Sequence, residues 1–190
     1  MTKVIGLTGG IATGKSTVAS YLKVAGWPVY DLDQITHEIE AHNQPVIHEI
    51  AAHFGDEVID NHQVNRHRLG EIVWQQPEKL RTLVRILTPA LLAAMEERTK
   101  GSLTIFEAAA LFENGFHPFF DQIVLLTCDP VLRLKRLQQR NHISLSAANQ
   151  LIKTQWPQDL KLGLVDAVFD SSHGTKSCAE QLQKWLAKLE

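Results

Sequence analysis

Short apolar runs alternate with helical patterns at the start of the chain. Residues 4–8 are mainly apolar, include three β-branched side chains and run into a pair of glycines, which is typical of a buried parallel strand. Residues 16–25 then repeat apolar side chains at helical spacing, and Gly26 ends this helix. A second strand follows at 29–30, with Asp31 at its end. This order predicts a strand–helix–strand unit with parallel strands.

Residues 34–100 show a different pattern, with no convincing strand. Leucine and valine side chains between Leu80 and Leu91 repeat at helical spacing. Pro89 falls inside this pattern, and we expect it to kink or divide the helix because proline lacks the backbone N–H that a helix needs. We therefore predict that 34–100 is a helical insertion.

Strand and helix patterns alternate again in the second half of the chain. The predicted strands are 103–106, 123–127 and 167–169, and the predicted helical segments are 130–141, 141–163 and 179–189. Such alternation produces a parallel sheet with helices on both faces. We predict an α/β fold of three layers, with a five-stranded parallel sheet. Ligands bind such sheets beyond the carboxyl ends of the strands, so the loops that follow the strands should form the site.

Composition limits the class of protein. The chain has 190 residues, of which 44% are hydrophobic, and a net charge of -2. This length suits one domain, and the charge gives no case for binding nucleic acid or an anionic membrane. The two cysteines favour a reducing compartment, and no apolar run is long enough for a signal peptide or a membrane span. We expect a cytoplasmic protein that is monomeric, with an oligomer left open.

The segment between the first strand and the first helix matches G-x-x-x-x-G-K-[ST] at every fixed position, from Gly9 to Ser16. In this motif backbone N–H groups surround the phosphates of a nucleotide, the lysine reaches the terminal phosphates and the serine hydroxyl coordinates Mg²⁺. The alternative, a glycine-rich turn that binds nothing, is disfavoured because the motif follows a strand and begins a helix. The predicted ATP-binding residues of the loop are Gly10, Ile11, Ala12, Thr13, Gly14, Lys15, Ser16 and Thr17.

Two carboxylates follow the second predicted strand. Asp31 and Asp33 are two residues apart, so in an extended chain they would share one side and face the loop. Carboxylates there could orient Mg²⁺ or accept a proton from an attacking hydroxyl group. A helix N-cap is the alternative interpretation of Asp33.

These features together resemble the dephospho-coenzyme A kinase family over essentially the whole chain. The segments that match family patterns are Leu7–Ala19, Asp31 with Asp33, Arg66 with Leu69, Ala110–Glu113, Arg136 with Arg140, and Gln155 to Asp166. Four residues differ from the family's usual ones, namely His37, Thr88, Ala110 and Ser171. The resemblance implies a P-loop NTPase fold and transfer of the ATP γ-phosphate to the ribose 3′-hydroxyl of dephospho-coenzyme A, which gives coenzyme A.

The resemblance also implies roles for individual residues. Asp33 would be the base or would position the hydroxyl group, and Lys15, Arg136 and Arg140 would neutralise charge on the transferred group, with Mg²⁺ held by Ser16. Arg136 would also contact ATP, which makes Lys15, Asp33 and Arg140 the predicted catalytic residues. The predicted acceptor-binding residues are Asp31, Asp33, Arg66, Phe112 and Glu113.

The family's layout divides this chain into three kinds of region. Residues 1–33, 101–130 and 164–190 would form the nucleotide-binding core, 34–100 the acceptor-binding insertion and 131–163 a lid.

Three other functions stay open at this point. The chain could phosphorylate another small acceptor, such as a nucleoside monophosphate or a sugar acid. A GTPase-like switch is disfavoured because the sequence has no N-K-x-D motif. A degenerate paralogue would bind nucleotide and turn over slowly. For single residues, the arginines of 130–141 could form a solvated helix face, and Glu107 and Glu113 could be ordinary loop residues.

Overall fold

The computed structural model describes residues 2–73 and 76–189 and divides into two compact units. The core unit comprises 1–31 and 99–190, and the helical unit comprises 32–98. In chain order the main elements are β1 (Lys3–Gly9), α1 (Lys15–Val24), β2 (Val29–Asp31), α2 (Leu32–His42), α3 (Gln44–Phe54), β3 (Ile59–Asp60), β4 (Gln63–Val64), α4 (Arg66–Val73), α5 (Pro77–Arg98), β5 (Leu103–Glu107), β6 (Gln122–Thr127), α6 (Pro130–Asn141), α7 (Leu145–Lys153), α8 (Gln158–Leu162), β7 (Ala167–Asp170) and α9 (Thr175–Leu186).

The core unit contains the five-stranded parallel sheet that the sequence predicts. The strand order is β2-β5-β1-β6-β7, so β1 lies at the centre with β5 and β6 as its neighbours. The sheet is parallel throughout, and its carboxyl ends therefore meet at one edge. The α/β fold and the sheet flanked by helices are confirmed.

Successive side chains of the central strands point to opposite faces of the sheet, and both faces are buried. Ile5 and Leu7 of β1 pack in a buried cluster with Leu22 of α1 and Leu182 of α9. Side chains on the opposite side meet the loop that follows β5: a Cβ on Gly6 would lie 2.8 Å from Cδ1 of Leu111. This packing fixes the start of α1 and the loop after β5 next to the carboxyl ends of the strands.

The helical unit differs from the sequence prediction in one respect. It contains a small antiparallel hairpin of β3 and β4, although we predicted no strand in 34–100. Asn61 and His62 both have positive φ angles, 48° and 63°, as a two-residue hairpin turn of type I′ requires. The prediction was wrong here because strands of two residues are too short to show an alternating pattern.

Pro89 was expected to kink or divide its helix, and of these two alternatives the structure excludes the division. α5 continues from Pro77 to Arg98, a span of 22 residues, with Pro89 inside it. Proline removes one backbone hydrogen bond. Leu87 before the proline and Leu91 after it are both buried, and their packing holds the two halves in one helix.

The polar segment that was predicted as helical, 141–163, forms two helices, α7 and α8, with Thr154–Pro157 between them. Gln155 lies in this break and contacts the phosphate loop. In the described parts of the chain, no helix has the length and apolar character needed to cross a bilayer.

Candidate active site

The loop between β1 and α1 has the backbone of an anion-binding turn. Ala12 and Gly14 both have positive φ angles, 63° and 85°. The backbone N–H and the side-chain hydroxyl of Thr13 both donate to the Gly10 carbonyl, at 3.2 and 2.8 Å, which closes the turn. Lys15 is the first residue of α1, so the loop leads into a helix N-terminus, where free N–H groups and the helix dipole favour an anion.

Lys15 and Ser16 both contact one carboxylate, that of Glu107. Glu107 Oε1 accepts a hydrogen bond from Lys15 Nζ at 2.6 Å and another from Ser16 Oγ at 2.7 Å. The side chains of Lys15 and Glu107 are 11% and 5% exposed, so this is a buried ion pair. Glu107 is the last residue of β5, which pairs directly with β1, and this neighbouring position brings its carboxylate to the phosphate loop.

The two predicted aspartates belong to different elements. Asp31 is the last residue of β2 and is the register partner of Glu107 on β5, so it lies at the carboxyl edge of the sheet. α2 begins at Leu32 and Asp33 is exposed in its first turn. Asp31 and Asp33 therefore do not share one side of an extended chain, and that prediction was wrong. The N-cap alternative was also wrong, because the helix begins before Asp33.

The three arginines of α6 have different partners. Arg136 donates to the Ser171 carbonyl at 3.2 Å and lies 3.3 Å from Cys128 Sγ, while Arg140 is exposed and donates to Asn141 at 2.9 Å. Arg133 Nε donates to the Ile11 carbonyl in the phosphate loop at 2.6 Å. Burial lowers the pKa of Arg133, with a smaller opposing effect from Cys128. Of the three, Arg133 is the arginine whose hydrogen bond reaches the loop backbone.

Glu113 holds the segment that follows α7. Its Oε1 accepts from the backbone N–H of Trp156 at 2.8 Å and from Lys161 Nζ at 2.7 Å. The Lys161 side chain is only 2% exposed, so the pair is well shielded from water. Phe112 stacks on Trp156, with the ring centroids 6.4 Å apart. Both predicted acceptor residues of this loop therefore pack against the segment between α7 and α8.

Arg66, the predicted acceptor-binding arginine of the helical unit, forms an ion pair with Glu40. Its Nε lies 2.9 Å from Glu40 Oε2, but this oxygen has no partner with hydrogen-bond geometry among the described residues. The contact is therefore a charge interaction, which stabilises Glu40 less than an aligned hydrogen bond would. Burial raises the pKa of Glu40, and Arg66 opposes that rise only in part. The Arg66 side chain is half-exposed.

This raised pKa predicts a pH effect on stability. The folded state holds the Glu40 proton more tightly than the unfolded chain, so the contribution of Glu40 to stability falls as pH rises from 4.5 through the raised pKa. Glu40→Gln removes this titration. We expect the free energy of unfolding of Glu40→Gln, relative to that of the wild type, to rise over this range and then level off.

Urea unfolding at a series of pH values measures this difference. Glu49→Gln, at an exposed carboxylate of α3, is the control. A difference between Glu40→Gln and wild type that does not change with pH would contradict the prediction.

The sequence of this chain matches that of known proteins over almost its whole length. The sequence model of the dephospho-CoA kinase family matches residues 3–177 of this chain. The chain belongs to the dephospho-CoA kinase family. A dephospho-CoA kinase of Enterococcus faecalis is 36% identical over 192 residues, which cover 98% of this chain and 96% of that protein.

Two solved structures share this fold over almost the whole chain. The crystal structure of TT1252 from Thermus thermophilus superposes with a TM-score of 0.84 at 26% identity, over 100% of this chain and 98% of that one. Dephospho-CoA kinase from Campylobacter jejuni gives a TM-score of 0.71 at 23% identity, over 99% and 98% of the two chains, and supports the fold alone.

Three contacts at the phosphate loop are not predicted by the sequence. Gln155 Oε1 accepts the backbone N–H of Ile11 at 2.7 Å, Ser171 Oγ donates to the Thr13 carbonyl at 2.5 Å, and Arg133 donates to the Ile11 carbonyl. The family resemblance marks Gln155 as a matching position and Ser171 as a differing one, and it predicts no role for either. Nothing in their local sequence shows a contact with the loop, because they lie more than a hundred residues away along the chain.

Proposed function

We propose that this protein transfers the γ-phosphoryl group of ATP to the ribose 3′-hydroxyl of dephospho-coenzyme A, giving coenzyme A and ADP. The main support is a complete G-x-x-x-x-G-K-S loop, between β1 and α1, in a chain whose family match spans residues 3–177. We expect this reaction in a monomeric, cytoplasmic enzyme.

Lys15 is the proposed electrostatic catalyst. The ammonium group of Lys15 pairs with the Glu107 carboxylate, and the terminal phosphates of ATP are anions that could take the place of this carboxylate. Nucleotide binding would therefore shift Lys15 from a carboxylate to a phosphate within the same shielded environment. Phosphoryl transfer depends mainly on positioning and on neutralising charge, and Lys15 supplies both.

Ser16 and Glu107 fit a magnesium ion. Ser16 Oγ and Glu107 Oε1 lie 2.7 Å apart, and Mg²⁺ prefers oxygen ligands, with one or two carboxylates and the substrate phosphates. We propose that these two residues hold the ion, Ser16 directly and Glu107 directly or through water. When bound, Mg²⁺ would neutralise charge on the phosphates.

Asp33 is the proposed base or hydroxyl-positioning residue, and Asp31 lies at the strand edge two residues before it. We assign acceptor recognition to the helical unit, with Arg66 as a phosphate ligand, and assign the lid to 131–163 with Arg136 and Arg140. Phe112 and Glu113 serve the acceptor side by holding the Trp156 segment. Closure of such a lid excludes water, which would otherwise accept the phosphoryl group.

The test is release of ADP from ATP and Mg²⁺ with and without dephospho-coenzyme A, together with direct detection of coenzyme A. Nucleoside monophosphates and sugar acids are the competing acceptors, and Lys15→Met is the inactive control. We expect ADP release that depends on dephospho-coenzyme A, with one coenzyme A formed per ADP. Equal or faster release with another acceptor would overturn the proposal.

A further inference from the structure

Two carbonyl groups of the phosphate loop are held by side chains from distant parts of the core unit. Arg133 Nε, from α6, donates to the Ile11 carbonyl at 2.6 Å. Ser171 Oγ, from the residue after β7, donates to the Thr13 carbonyl at 2.5 Å. Ser171 is completely buried, and Arg133 is partly buried.

Each of these contacts fixes the direction of one peptide group. A trans peptide is planar, and its carbonyl oxygen and its N–H point in opposite directions. The described chain has no cis peptide bond. When Arg133 holds the Ile11 carbonyl, the N–H of Ala12 must therefore point away from Arg133, and Ser171 fixes the N–H of Gly14 in the same manner.

These two N–H groups are available to a ligand. Neither donates to an acceptor within residues 2–73 and 76–189. Both belong to residues with positive φ angles, a conformation that costs about 1–2 kcal/mol for a residue such as Ala12 and persists only where neighbouring contacts hold it. The hydrogen bonds from Arg133 and Ser171 to the loop carbonyls are contacts of this kind.

We propose that Arg133 and Ser171 are positioning residues that aim the N–H groups of Ala12 and Gly14 at the phosphates of the bound nucleotide. Neither residue was predicted to bind ATP, and Ser171 is a position where this chain differs from its family's usual residue. The inference deepens the proposed function, on which it rests for the identity of the nucleotide.

Two neighbours keep Arg133 in place. Its guanidinium lies so close to Gly10 that a Cβ there would fall 2.3 Å from one of its terminal nitrogens, so the absence of a side chain at Gly10 permits the approach. Gln155 Oε1 lies 3.5 Å from that same terminal group and accepts the Ile11 N–H at 2.7 Å. Gln155 and Arg133 therefore hold both backbone polar groups of Ile11.

Two substitutions at Arg133 separate peptide orientation from charge. Glutamine places its amide nitrogen at the same position along the side chain as arginine Nε, so Arg133→Gln can keep the hydrogen bond to Ile11 without the positive charge. Methionine has a side chain as long as that of glutamine but carries no hydrogen-bond donor. Arg133→Met therefore loses both the hydrogen bond to Ile11 and the positive charge. Lys135→Met, at an exposed residue of α6, removes one positive charge away from the loop and is the matched control.

The readout is calorimetric binding of tripolyphosphate, ATP and adenosine to each full-length variant. We expect Arg133→Met to bind tripolyphosphate and ATP about tenfold more weakly, because the Ala12 N–H is no longer aimed at the phosphates and its hydrogen bond to them is lost. Arg133→Gln should stay within about threefold of wild type, and Lys135→Met should match wild type. Adenosine affinity should be the same in all four proteins, because adenosine has no phosphate for the loop to bind.

Ser171→Ala tests the second carbonyl independently of α6. We expect the same selective loss of about tenfold for tripolyphosphate and ATP, with adenosine unaffected. The proposal is overturned if Arg133→Gln binds as weakly as Arg133→Met, if Lys135→Met shows the same loss, or if adenosine binding falls along with ATP. Tripolyphosphate binding needs no phosphoryl acceptor. If the kinase assay with dephospho-coenzyme A failed, the binding affinities of these variants could therefore still be interpreted.

Discussion

Asp33→Asn is expected to lower the turnover number by roughly 10²–10⁴-fold while the affinity for ATP changes by less than about threefold. The carboxylate is proposed to accept or position the proton of the acceptor hydroxyl, whereas the phosphates are proposed to bind to the loop of residues 9–16. Asparagine keeps the size of the side chain and removes its basicity. Steady-state kinetics with dephospho-coenzyme A and a separate titration of ATP binding measure the two quantities.

Asp31→Asn is the matched control for Asp33. Asp31 lies in β2, in register with Glu107, and Asp33 lies in the first turn of α2. We expect the smaller effect on turnover at Asp31. If Asp33→Asn retains near-normal turnover and Asp31→Asn does not, the proposed role belongs to Asp31.

Glu107→Gln is expected to reduce both stability and activity. The variant leaves the Lys15 ammonium group, which is 11% exposed, beside a neutral amide. Breaking a buried ion pair by removing one charge typically costs about 3–5 kcal/mol, and we expect a free energy of unfolding lower by about 2–4 kcal/mol. Turnover should fall at least about tenfold because the carboxylate proposed to hold Mg²⁺ is lost.

A double-mutant cycle with Lys15→Met separates these two effects. Lys15→Met/Glu107→Gln removes both charges, so its stability should be higher than the sum of the single losses predicts, with a coupling of about 1–3 kcal/mol. Activity should not recover, because both groups serve the nucleotide. Lys23→Met, at an exposed lysine of α1, is the control for loss of charge. Additive stabilities in urea unfolding would show that Lys15 and Glu107 do not act as a pair.

Local sequence was sufficient where neighbouring residues decide the structure. The apolar run before Gly9, the glycines and the helical pattern after Lys15 all lie within one short segment, and they predicted β1, the phosphate loop and α1. The helix from Pro130 to Asn141 was predicted with the same bounds, because Asp129 caps it and Pro130 suits its first turn.

Local sequence was insufficient where a contact depends on distant residues. The helical spacing of α6 offers three arginines, and the family resemblance favoured Arg136 and Arg140. The structure places Arg133 on the loop backbone, because Gly10 leaves room there and Gln155 lies beside it. The continuity of α5 through Pro89 likewise depends on buried packing, which periodicity does not measure.

The sequence by itself determined the fold class and the family and predicted the chemistry of the phosphate loop, since strand and helix patterns and the G-x-x-x-x-G-K-S spacing are properties of contiguous residues. Only the tertiary structure decided that Glu107 pairs with Lys15 and that Arg133, Gln155 and Ser171 contact the loop. These residues come together because parallel strands bring their carboxyl ends, and the segments that follow them, to one edge of the sheet. The alternating pattern predicts that these loops meet, but which of their side chains touch depends on strand order and register, which no local pattern in the chain encodes.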